Sequence, residues 1–73
     1  MKSAELLRRL AKLARSRSWP FEWRPHRGKG SHGLLIMSGR RAIFPDLKSE
    51  IAKGTYHAIL GQLGIDDEEL RNG

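Results

Sequence analysis

The 73-residue sequence contains no cysteine, which excludes a disulfide and a thiolate metal site. Its three histidines, His26, His32 and His57, lack the paired spacing of a metal centre such as His-x3-His, so neither a metal nor another cofactor is expected. Long apolar runs are also missing. The longest covers residues 34–37, far short of the roughly 20 residues that cross a bilayer, so a soluble, cytoplasmic chain is expected with no membrane partner. Acidic residues are scarce at the front: residues 1–45 hold two acids against eleven Lys or Arg, whereas residues 46–73 hold six acids against three. The resulting net charge of +6 points to a polyanion, nucleic acid before membrane, with a merely solvated basic surface as the alternative.

What is present suits one small globular domain. The 38% hydrophobic and 30% charged fractions are ordinary for a folded chain. At this length a chain buries only about 60% of its unfolded surface, so stability is modest. A single domain over residues 1–73 is expected, with its core in about residues 3–65 and an acidic tail over 66–73. Residues 1–18 share the Arg- and Ser-rich, acid-poor composition of a mitochondrial transit peptide. Their apolar stripe is needed for the core, which favours an N-terminal core helix.

Ser3 is the candidate cap of that helix, in which Leu6, Leu7, Leu10, Leu13 and Ala14 recur at helical spacing. Arg8, Arg9, Lys12 and Arg15 lie between them and form a basic outer face. Trp19 precedes Pro20 and is biased away from the α region, so the helix should stop near residues 16–18. Residues 21–26 alternate, with Phe21 and Trp23 on one face and Glu22, Arg24 and His26 on the other. They predict a first strand, at a sheet edge because of Pro25. Gly33–Met37 predicts a central second strand, and Ser38-Gly39 turns the chain into a third over Arg40–Phe44. After a polar connection over residues 46–53, Tyr56, Ile59, Leu60 and Leu63 mark a second helix, with Thr55 as its cap and Gly64 as its stop. Asp66, with Glu69 three residues later, predicts one further acidic helical turn. The fold class is therefore α+β in the order α-β-β-β-α, that of the double-stranded-RNA-binding domain, with two helices on one face of a three-stranded antiparallel sheet.

Gly28, Gly30 and Gly33 spell the dinucleotide-binding G-x-G-x-x-G, but that fingerprint needs a helix after it, and here a strand follows. The glycines instead suit a loop whose backbone approaches a ligand or simply turns. His32 follows this loop, near Arg27 and Lys29. An imidazole exchanges protons near neutral pH, and RNA carries a 2′-hydroxyl whose deprotonation starts strand cleavage. Cations nearby would hold the phosphate. A plain surface histidine is the alternative. His26, across the loop, could supply a second acid or base if the hairpin register brought the two together. Lys53-Gly54-Thr55 opens the second helix, where unpaired N–H groups favour an anion, or where Thr55 only caps. Trp19, Phe21 and Trp23 suit either base stacking or the core, with the core favoured.

Gly30-Ser31-His32, Lys53-Gly54-Thr55 and the run Ile59-Leu60-Gly61-Gln62-Leu63-Gly64-Ile65, in that order and spacing, resemble the HicA toxins of bacterial toxin–antitoxin systems. The resemblance spans the chain from the first helix to Ile65. It implies a double-stranded-RNA-binding-like fold and a ribosome-independent mRNA endonuclease, neutralised by a HicB-type antitoxin that covers the active site. The protein would be a monomer alone and a hetero-oligomer with that antitoxin. The family's catalytic histidine corresponds to His32. Many members carry a bulky residue directly after it, where this chain has Gly33. The expectation is a metal-independent endoribonuclease in which His32 is the catalytic acid or base. Arg27, Lys29, Gly30, Ser31, Lys53 and Thr55 would contact RNA phosphates, and His26 is the possible second acid or base. A non-catalytic RNA-binding module and a protein-interaction module are the rival readings.

Overall fold

A computed structural model describes residues 1–25 and 32–72. The elements run α1 (Ser3–Arg17), β1 (Phe21–Arg24), β2 (Gly33–Met37), β3 (Arg40–Phe44), α2 (Lys53–Leu63) and α3 (Asp67–Asn72). This is the expected α-β-β-β-α order with a short third helix appended. The strands form one antiparallel sheet in the order β1-β2-β3. The apolar run of β2 takes the centre, where both edges of its backbone are paired.

Alternation divides the sheet into two faces. Leu35, Met37, Ala42 and Phe44 are buried on one, and the half-buried Phe21 and Trp23 of β1 extend the same side. Leu6, Leu10, Leu13 and Ala14 of α1 cover it, joined by Ile59, Leu60 and Leu63 of α2. Leu6, Leu10 and Leu13 expose nothing, and burying each such side chain contributes about 2 kcal/mol. Leu70 of α3 joins the same cluster, so the core reaches beyond Ile65. The other face carries Leu34, Ile36 and Ile43, flanked by Glu22, Arg24 and Arg41, and Ile43 is 49% exposed.

Local chemistry sets most of the boundaries. Ser38 and Gly39 both adopt positive φ, 53° and 79°, as a tight hairpin between twisted strands requires. Ser18 and Gly64 end α1 and α2 in the left-handed conformation, at φ 57° and 71°. The Asp66 carboxylate accepts the Glu69 N–H at 2.7 Å, which is the cap expected for the acidic helix.

Three boundaries differ from expectation. Ser3 does not cap α1: Lys2 holds the cap position, and Ser3 is buried inside the first turn, its N–H donating to the Ser49 carbonyl at 3.0 Å. Thr55 does not cap α2 either. Ala52 stands there and Thr55 is the third helical residue, because the Tyr56 N–H already reaches the Ala52 carbonyl at 2.9 Å. β1 ends at Arg24, opposite Leu34, and Pro25, which has no N–H to give to a ladder, turns the chain away. The expectations for His26, Arg27, Lys29, Gly30 and Ser31 lie outside the described residues.

Candidate functional site

Strand register fixes which chemistry-bearing residues share an end of the sheet. Gly33 pairs with Phe44 and Met37 with Arg40, while Arg24 pairs with Leu34 and Phe21 with Met37. One end therefore holds the hairpin, the start of β1 and the start of β3. The other holds the start of β2, directly preceded by the exposed His32.

Both long helices begin at the His32 end. α2 packs along β3 and finishes with Gly64 against the Arg40 guanidinium, where an added Cβ would stand 3.0 Å from Arg40 Cζ. Its C-terminus is thus at the hairpin end. Its 11 residues span about 16 Å, close to the length of a five-residue strand, which places Lys53 at the Phe44 end. α1 likewise leads through Trp19 and Pro20 into β1 at the hairpin end. Its first residues bond to the segment that follows Phe44: Ala4 N–H to the Leu47 carbonyl at 3.1 Å and Ser3 N–H to that of Ser49.

These two helix starts differ. The first amides of α1 are taken up by the Leu47, Ser49 and Lys2 carbonyls. α2 has no side-chain cap, no acidic residue in its first turn and no described partner for the amides of Lys53, Gly54 and Thr55. Lys53, Gly54 and Thr55 are all exposed. Three N–H groups, the positive end of the helix dipole and an ammonium thus share one locality, an arrangement that favours a phosphate. Of the expected phosphate contacts, the structure brings Lys53 and Thr55 to the end that bears His32.

Gly33 has a specific structural reason. It is buried, and an added Cβ would collide with the indole of Trp23. Trp23 sits diagonally across the β1–β2 ladder and meets Phe44 edge-on, with ring centroids 5.7 Å apart at 79°. The ring therefore fills the space that a side chain at position 33 would occupy, and packs over the backbone immediately after His32. Trp19, Phe21 and Trp23 are all packed against the core, as favoured from their alternation.

His57 is exposed beside Tyr56, with ring centroids 5.3 Å apart. It is near enough to Asp67 of α3 to act on that carboxylate. The Tyr56 hydroxyl donates to the Asp67 carboxylate. Burial, then this bond, pushes the Tyr56 phenol up from its ordinary value. The same bond, aided by Arg71, holds the Asp67 carboxyl below its own, against a weaker opposing effect of burial. The pair fastens α3 to α2. Among the described residues no three His, Asp or Glu side chains group as metal ligands would.

The sequence left the start of α2 either open or capped by Thr55, and Ala52, a poor cap, followed by Lys53 and Gly54, was the signal that favoured the open start. Trp23 filling the place above Gly33 had no local signal, since it depends on strand register. Comparisons with protein-family models, with curated proteins and with solved structures find no match to this chain. The fold and the site define it as a small basic α-β-β-β-α domain in which the exposed His32 and the start of α2 lie at the same end of the sheet.

Proposed function

We propose that this chain is a metal-independent endoribonuclease acting on mRNA. One observation carries the reading: exposed His32 lies at the sheet end where α2 begins uncapped, with Lys53 and three amides that have no partner among the described residues. In the proposed reaction an imidazole takes the proton of an RNA 2′-hydroxyl. The resulting alkoxide attacks the adjacent phosphorus, the P–O5′ bond breaks, and the 5′-oxygen leaves with a proton, giving a 2′,3′-cyclic phosphate and a 5′-hydroxyl. His32 serves as the base or as the acid. Lys53 and the α2 amides hold the phosphate and offset charge that builds on its oxygens. Arg27, Lys29, Gly30 and Ser31 complete the phosphate contacts in this reading, and His26 is the candidate for the second proton transfer. The resemblance to the HicA toxins supports an mRNA substrate in the cytoplasm and a HicB-type antitoxin as the controlling partner.

The test is incubation of wild type and His32→Ala with a long single-stranded RNA in EDTA, with the new ends mapped. Cleavage by wild type alone is the expected result. Undiminished cleavage by His32→Ala removes His32 from the mechanism. Salt-sensitive binding by both proteins with no new ends replaces the enzyme with an RNA-binding module.

A further inference from the structure

The outer face of α1 is a second feature that calls for a ligand. At about 100° per residue, Arg8, Lys12 and Arg15 fall within one narrow arc of α1, diametrically opposite Leu6, Leu10 and Leu13. All three are exposed. They line a shallow groove of about 520 Å³ along α1. A smaller groove of about 210 Å³ continues it toward α3, sharing Arg9 and Lys12 and adding Arg71. Arg8, Arg9, Lys12, Arg15 and Arg71 thus line these two adjoining grooves, with Glu5 as the acidic residue among them. Glu5 pairs with Arg9 at 2.8 Å and more loosely with Arg8 at 3.9 Å, and Asp67 pairs with Arg71 at 3.3 Å. Lys12, which both grooves share, and Arg15 have no acidic partner among the described residues.

Two polyanions could sit there, and the burial pattern separates them. An interfacial helix binds lipid by inserting its apolar face beneath the headgroups. In α1 that face is spent, since Leu6, Leu10 and Leu13 have no exposed surface. Only the charged face is offered, which suits a phosphate backbone. Arg8 to Arg15 covers about 10 Å of helix axis, room for about three phosphates of a stacked strand. The groove also starts near the His32 end, because α1 begins there.

We infer that the Arg8–Lys12–Arg15 face of α1, with Arg9 and Arg71 at its margin, is a second RNA-backbone contact, separate from His32, that holds a strand along the helix layer. This rests on the ribonuclease reading, whose substrate it engages. The contact reads charge and not sequence, so it contributes affinity at any RNA.

The test measures binding of a short labelled single-stranded RNA across a salt series, in a His32→Ala background so that the RNA stays whole. Lys12→Glu/Arg15→Glu is compared with Arg24→Glu/Arg41→Glu, which changes charge equally on the opposite sheet face. All four positions are exposed, and circular dichroism checks that each variant folds. The α1 variant should bind about tenfold more weakly, with the slope of log affinity against log salt reduced by about 1.4, two single-strand contacts at about 0.7 each. The sheet-face variant should bind like the parent. Equal weakening by both variants reduces the effect to net charge and overturns the inference. Parental binding by the α1 variant overturns it while leaving the ribonuclease reading intact. A parent that binds no RNA even at low salt overturns that reading and this one with it.

Discussion

α1 and α2 lie over the same sheet face and start at the same end, yet their termini are finished differently. Their C-termini use one device: the Trp19 N–H reaches back to the Ala14 carbonyl at 2.8 Å, and the Ile65 N–H reaches back to that of Leu60 at 2.9 Å. Each closure needs a left-handed residue, Ser18 in α1 and Gly64 in α2. Their N-termini part company. α1 spends its first amides on the segment after β3, a contact that fastens the chain's first residues to the core. α2 spends none of its first three on a described residue. The difference teaches where function has room: the ends that the fold consumes cannot bind a ligand, and the end it leaves unpaired can.

The largest expected effect tests the shared C-terminal device. Gly64→Ala puts a Cβ at φ 71° and pushes it to 3.0 Å from the Arg40 guanidinium. The guanidinium can swing away, so the cost is the left-handed strain, about 1–2 kcal/mol. In a domain of this size a loss of about 1 kcal/mol lowers the thermal midpoint by roughly 4–8 °C. An unchanged midpoint by calorimetry would mean that α2 does not rely on this closure.

The matching change at α1 runs the other way. Ser18 already bears the strain at φ 57°, so Ser18→Gly should relieve it. Part of the gain is returned to the unfolded chain, which glycine makes more flexible, and a net stabilisation of about 0.5–1 kcal/mol is expected from urea unfolding. A loss of stability there would show that the Ser18 side chain contributes something beyond its backbone conformation.

The features readable from sequence are those fixed by near neighbours. The leucine stripe of α1 needs only the helical repeat. The Ser38-Gly39 hairpin needs only two residues that accept positive φ, and the Asp66 cap only a spacing of three. The start of α2 is different. Residues 46–51 are held by the far end of the chain, through the Ile51 N–H to the Met1 carbonyl at 2.9 Å and the bridge between Lys2 and Glu50. Those distant contacts deliver the chain into α2 at Ala52, three residues before Thr55, which local capping preference selects. Gly33 is the same lesson at the site. Its neighbours in sequence suggest a flexible loop, whereas the reason for glycine is the indole of Trp23 ten positions earlier, which antiparallel pairing brings across.

The smallest expected change in stability is the most direct attack on the contrast between the two helix starts. Ala52→Asp supplies the cap that α2 lacks: a carboxylate there can accept an amide hydrogen bond from the first turn, and its charge complements the helix dipole. The gain should be about 0.5 kcal/mol, the low end of the range for such caps, because the site is exposed. The same carboxylate would occupy the amides assigned to phosphate and place a negative charge beside Lys53. Folding and function should therefore move in opposite directions, with a slightly higher thermal midpoint and weaker RNA cleavage, in KM because the amides hold the phosphate and in kcat because they offset charge on its oxygens. If kcat/KM is unchanged while the midpoint rises, the open start of α2 is an unfilled cap and the substrate phosphate is held elsewhere, leaving α1's groove as the stronger candidate for RNA contact.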